Sequence, residues 1–158
     1  MQLSLPAGLK TYPAGEFYFY HCYIKITEFE MEKSLFQDKY PVFSLTIAKS
    51  DTDCQSVSEI LDTLEAKITE HPKAVMIARF NHFEHTQNID GDINPEIQDA
   101  QNIVFCFGFQ IPSAAPVAVR PRSIGATDLG DRFVVNFMEA PNPVAQELME
   151  SWVEGLVR

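Results

Sequence analysis

Apolar and polar positions change their period several times along the chain, and each change marks an element. Residues 16–33, EFYFYHCYIKITEFEMEK, alternate aromatic and β-branched side chains, with Phe17, Phe19, His21 and Tyr23 on one face and Tyr18, Tyr20, Cys22 and Ile24 on the other. That is the pattern of a strand. A polar link, EKSLFQDK, leads to a second strand, YPVFSLTIA, with Pro41 at its entry. Antiparallel pairing of the two is expected, because consecutive strands usually neighbour each other.

The period then lengthens. Val57, Ile60, Leu61, Leu64 and Ile68 recur at three- and four-residue steps, one stripe of a helix. Ser56 followed by Glu59 is a capping-box pattern for its start, and His71-Pro72 ends it. KAVMIARF reads as the next strand, NIVFCFGF as a strand buried on both faces, and DRFVVNFME as another after a DLGD turn. The proline-rich stretch between them, residues 110–130, mixes loop and strand, since proline cannot donate to a central ladder. A second helix follows Asn142 as N-cap and Pro143 at the first helical position, its stripe being Val144, Leu148, Trp152 and Leu156 with Met149 beside them. The strand–turn–helix order of 41–70 recurs loosely in 132–157, as a pseudo-repeat or by coincidence.

These elements predict an α+β fold: a mainly antiparallel sheet of about five or six strands with two amphipathic helices packed on one face. No linker divides the chain, so residues 1–158 are read as a single domain with an N-terminal arm at 1–15. An aromatic strand at a sheet edge favours a homodimer.

Charge narrows the partners. The chain carries 22 acidic and 12 basic residues, a formal net charge of −10, with no basic run. Phosphate backbones and anionic membranes attract clustered Lys and Arg, so neither nucleic acid nor membrane is an expected partner. The longest apolar block is too short to span a bilayer. Three widely spaced cysteines without a C-x-x-C pair, and no basic start leading into an apolar run, point to the cytoplasm.

Candidate chemistry gathers in NHFEHTQNIDGD. His82 and His85 share a helical face but point to opposite faces of a strand, so they could share a metal only if a helix or turn starts near Asn81. Asp90, Asp92 or Glu96 would have to complete the ligand set. The order is H-x-E-H rather than H-E-x-x-H, and an EF-hand count from Asp90 places Pro95 and Gln101 where glycine and glutamate are needed. The simpler reading is an Asp-Gly turn, then a short helix PEIQDAQ after Asn94. Cys106, between two phenylalanines, reads as a small buried hydrophobe. Arg120 and Arg122 face the same way if extended and could grip a carboxylate or phosphate, or else pair with the many acidic side chains.

From residue 56 onward the order of parts resembles the bacterial family called domain of unknown function 302. The resemblance rests on the helix SVSEILDTLEAKI, the strand and histidine bend ARFNHFEHT, and the apolar strand IVFCFGFQIP. It implies a small α+β domain, often dimeric, with His82 or His85 and Phe107 and Gly108 lining a shared cleft. That family places Asn-Pro soon after Phe-Gly, whereas here Phe109, Gln110 and Ile111 precede Pro112.

The expected function is therefore a non-catalytic small-ligand or partner-binding domain without a cofactor, its cleft drawn from His82, His85, Phe107, Gly108, Arg120 and Arg122. Two alternatives stand beside it. One is a metal-dependent enzyme holding a divalent ion with His82, His85, Asp90 and Asp92, with Glu84 or Glu96 as base. The other is a structural or regulatory subunit that works through protein contact. The helical stripe carries its own test: a polar residue at Leu61 or Leu64 should cost about 3 kcal/mol or more in urea unfolding, as for other buried leucines.

Overall fold

A computed structural model of the protein describes residues 31–158. The arm, and the aromatic segment up to residue 30, lie outside the described residues, as does the edge position expected for that segment. The elements run β1 (Glu32–Phe36), β2 (Tyr40–Ala48), α1 (Val57–Glu70), β3 (Ala74–Asn81), α2 (His82–Asn88), β4 (Asp99–Phe107), β5 (Arg122–Asp128), β6 (Arg132–Met138) and α3 (Pro143–Glu154). The six strands form one sheet in the order β1-β2-β6-β5-β4-β3, antiparallel at every pairing. The fold is α+β, as the alternating periods predict.

Period-two alternation gives each inner strand one buried row. Leu45 and Ile47 of β2, Phe133, Val135 and Phe137 of β6, Ile124 and Ala126 of β5, and Ile103, Phe105 and Phe107 of β4 are all buried. Register aligns the rows, with Leu45 opposite Val135 and Ile103 opposite Ile124. Onto this face α1 buries Val57, Ile60, Leu61, Leu64 and Ile68, and α3 buries Ala145, Met149, Trp152 and Val153. Trp152 anchors α3 to β4, its ring centroid 5.6 Å from both Phe105 and Phe107. The opposite face carries small and polar side chains, among them Ser123, Gly125 and Thr127 of β5 and Asn136 of β6. Units β2–α1 and β6–α3 therefore lie side by side, antiparallel, with both helices on one face.

Local chemistry sets the helix ends. Ser56 Oγ accepts from the Glu59 N–H at 3.2 Å while Glu59 Oε2 accepts from the Gln55 N–H at 2.6 Å, so two otherwise orphaned donors are satisfied. Asn142 Oδ1 accepts from the Val144 N–H, with Pro143 behind it. Buried Thr52 donates to the Leu156 carbonyl at 2.7 Å and accepts from the Cys54 N–H at 3.2 Å, tying the approach to α1 to the chain beyond α3. Among the described residues no helix is long and apolar enough to cross a membrane.

Four readings of the sequence change. The supposed polar link contains β1, all five residues exposed, held to β2 through backbone pairing and a tight turn with Gln37 and Asp38 at φ 54° and 55°. An exposed edge strand leaves no apolar period to detect. The helix expected at PEIQDAQ is a turn at Pro95 followed by β4, because residues 99–101 take up pairing with β5 instead. Strand β4 is buried on one face only, and Cys106 lies on the other, half-buried. On α3 the buried stripe is rotated: Val144 is 54% exposed, and Ala145 and Met149 take its place.

That rotation is measurable. Met149→Ala should lose about 3 kcal/mol in urea unfolding, by cavity formation, and Val144→Ala less than about 0.5 kcal/mol. Equal losses would put the buried stripe back on Val144.

Candidate functional site

The histidine segment leaves β3 as a helix. Asn81 Oδ1 accepts from the Glu84 N–H at 2.9 Å, which starts α2 at His82 and places His82 and His85 on one face. Both rings pack on Phe80, at centroid distances of 4.7 and 5.4 Å. The carboxylates do not join them. Among the described residues no group of three or more His, Cys, Asp or Glu side chains could hold a metal ion. Asp90 instead ends the helix: it adopts φ 53°, its N–H donates to the Gln87 carbonyl at 3.0 Å, and the Gly91 N–H donates to the Thr86 carbonyl at 2.9 Å. This is a Schellman-type cap with an aspartate in the left-handed position usually given to glycine. His82 also lines a groove of about 300 Å³ on the uncovered sheet face, with Asn102, Gly125, Thr127 and Asn136. The Asn102 Oδ1 atom there is buried without a hydrogen-bond partner.

A larger cleft, of about 500 Å³, opens on the helix-covered face. Its walls are Phe107 at the end of β4, Phe109, the loop carrying Pro112, Ala115 and Pro116, and the start of α3 from Ala140 to Ala145. Phe107 and Phe109 stack at 5.6 Å, and Phe107 stacks on Trp152, so this wall is fixed by aromatic packing. Arg120 and Arg122 line the same cleft.

Arg122 occupies the core-facing row of β5, opposite Phe105. Its Nη2 donates to the carbonyls of Met138 and Glu139, the latter at 3.1 Å. Its Nε is buried and has no hydrogen-bond partner among the described residues. Burial pushes its pKa below the ordinary arginine value. Other charges on this side of the sheet are answered. For Arg79 burial also works against the charge, yet hydrogen bonds and charge from Asp62 and Glu65 outweigh it and raise its pKa. Asp128, at the far end of the row that Arg122 begins, accepts from Lys49 Nζ and from the Gly130 N–H, both at 2.8 Å. The expected pairing of Arg120 and Arg122 with acidic neighbours is absent among the described residues, where neither forms an ion pair. The nearby Glu139 gives its carboxylate to Lys33 at 2.6 Å.

Of the residues singled out in the sequence, Phe107, Arg120 and Arg122 thus share one cleft. His82 lines a different groove on the opposite face. His85, Gly108, Asp90 and Asp92 line neither; Gly108 uses its N–H to bond the Lys73 carbonyl at 2.7 Å. Phe109, Ala140 and Ala145 escaped sequence reasoning. Nothing in their spacing announces a wall built from three distant segments, though two arginines beside prolines were a signal.

Fold and cleft define an α+β protein whose six-stranded antiparallel sheet is covered on one face by two helices that leave a cationic, apolar-walled opening. The chain belongs to a family of unknown function, DUF6858, whose model matches residues 31–158. This corrects the resemblance to the domain of unknown function 302, which rested on an order of elements that many α+β domains share. No curated protein and no solved structure matches the chain.

The role of Asp90 can be checked directly. Asp90→Gly should stabilise the protein by about 0.5–1 kcal/mol in urea unfolding, because glycine adopts positive φ without steric cost. A loss of stability of that size would show that the Asp90 carboxylate contributes to the fold beyond the backbone cap of α2.

Proposed function

We propose that this protein is a small-ligand-binding domain whose ligand sits in the cleft between the proline-rich loop, the end of β4 and the start of α3. The observation that carries the reading is the pair Arg120 and Arg122, two guanidinium groups on one largely apolar cleft that form no ion pair among the described residues. A charge held among apolar walls loses part of its hydration, and an anionic ligand offsets that loss. The cleft volume of about 500 Å³ falls within the range of about 300–1,000 Å³ usual for small-molecule sites, which are mostly apolar with few convergent polar groups. Among the described residues its lining includes no Asp, Glu, His, Cys or Lys, so those residues offer the means to hold a ligand rather than the usual acids and bases of catalysis.

A fluorescent apolar anion, 8-anilinonaphthalene-1-sulfonate, tests the cleft. It should bind the full chain at one site, and Ala115→Trp, which fills the exposed mouth without touching the core, should weaken binding at least tenfold at unchanged Tm. No binding, or equal binding by both proteins, would sink the proposal.

A further inference from the structure

The charge pattern inside the cleft narrows the ligand further. The chain as a whole holds 22 acidic and 12 basic residues. Yet the cleft walls hold two arginines and no carboxylate. Such local inversion in an acidic protein gives a cation pair that no side chain among the described residues answers, and screening by salt confines the surrounding negative field to about 8 Å at physiological ionic strength.

We infer that the cleft takes a monocarboxylate with a compact apolar body, the carboxylate held by Arg122 and Arg120 and the body packed against Phe107, Phe109 and Pro116. The inference rests on the cleft being a ligand site. A guanidinium presents its N–H groups in a planar fork that matches two carboxylate oxygens. Nη2 of Arg122 is already engaged by two carbonyls and its Nε is buried, so Arg122 offers the ligand Nη1 alone, and the two-pronged fork falls to Arg120, whose side chain makes no hydrogen bond among the described residues. Arg120, two residues away and on the same cleft, supplies a second cation. A phosphate monoester fits less well. Its second charge must also be desolvated among apolar walls, and two arginines, one of them shared with two backbone carbonyls, offset that cost less fully than they do for a single charge. The aromatic pair at 5.6 Å offers flat apolar walls suited to an aryl or branched alkyl group.

The chain's one tryptophan, Trp152, stacks on Phe107 and so reports on this wall. Phenylacetate, phenylacetamide and phenyl phosphate are titrated at pH 7 into the full chain, followed by Trp152 fluorescence and by Tm. Phenylacetate should bind at least tenfold more tightly than the amide and more tightly than the phosphate. Arg122→Gln should reduce the acid-over-amide preference to less than about threefold. Because Arg122 also holds two carbonyls, Arg120→Gln serves as a second variant and should weaken phenylacetate alone. Equal affinity for acid and amide, tighter binding of the phosphate, or an unchanged preference in Arg120→Gln would overturn the inference. If the naphthalene sulfonate binds at the cleft and none of these three does, the ligand class fails while the cleft reading stands. If that dye fails as well, both fall.

Discussion

Both long helices lie on the same side of the sheet, so among the described residues only one sheet face has cover, and every inner strand must send its apolar row there. This one-sided burial governs the rest. It aligns Leu45, Val135 and Ala126 across neighbouring strands and sets Ile124 beside Ile103, and it leaves the other face a mixture of small, polar and half-exposed apolar side chains. It also sets the terms for charge. A charged side chain on the covered face loses water and needs a partner in return. Arg79 finds two carboxylates on α1 and Asp128 finds Lys49, each at the margin of the core.

The cleft forms where the cover runs short. Strand β6 ends at Met138 and α3 starts only at Pro143, and the residues facing the gap are the small Ala140 and Ala145. On the other side, Pro112, Pro116 and Pro121 remove backbone donors, so the loop between β4 and β5 cannot extend the sheet across the opening. Arg122 stands at the head of a core-facing row at that point. Deeper in the same row Ile124 and Ala126 are sealed in hydrocarbon. A guanidinium can occupy the first position because two carbonyls at the end of β6 and the start of the next turn meet half of it. The remaining half meets no acidic side chain among the described residues.

Much of this was legible in the chain. The stripe from Val57 to Ile68, the Ser56–Glu59 cap, the Asn142-Pro143 start and the strand alternation each follow from local geometry, and local geometry decided them. Errors arose where a neighbour, rather than the segment, makes the decision. Residues 32–36 have no apolar period because pairing with β2, not burial, holds them. Residues 99–101 could form a helix on their own, but a waiting strand edge on β5 claims them. Val144 and Ala145 both suit a buried position, and the packing of α3 on the sheet, with Met149, Trp152 and Val153 buried, puts Ala145 inside and Val144 outside. The site was partly legible for the same reason. The pair Arg120 and Arg122 was visible as two cations two residues apart, whereas the histidines drew notice by their number and yet lie across the sheet from that pair.

By itself, then, the sequence determined the two long helices, their two caps and most of the strands, together with the net negative charge. These depend on neighbours within a few residues, or on a simple sum over the chain. Only the tertiary structure decided which face of each element is buried, that His82 and Phe107 belong to different surfaces, and that Arg122 enters an apolar cleft without a carboxylate. Those facts depend on register and helix rotation, where a shift of one residue moves a side chain to the opposite side of the sheet.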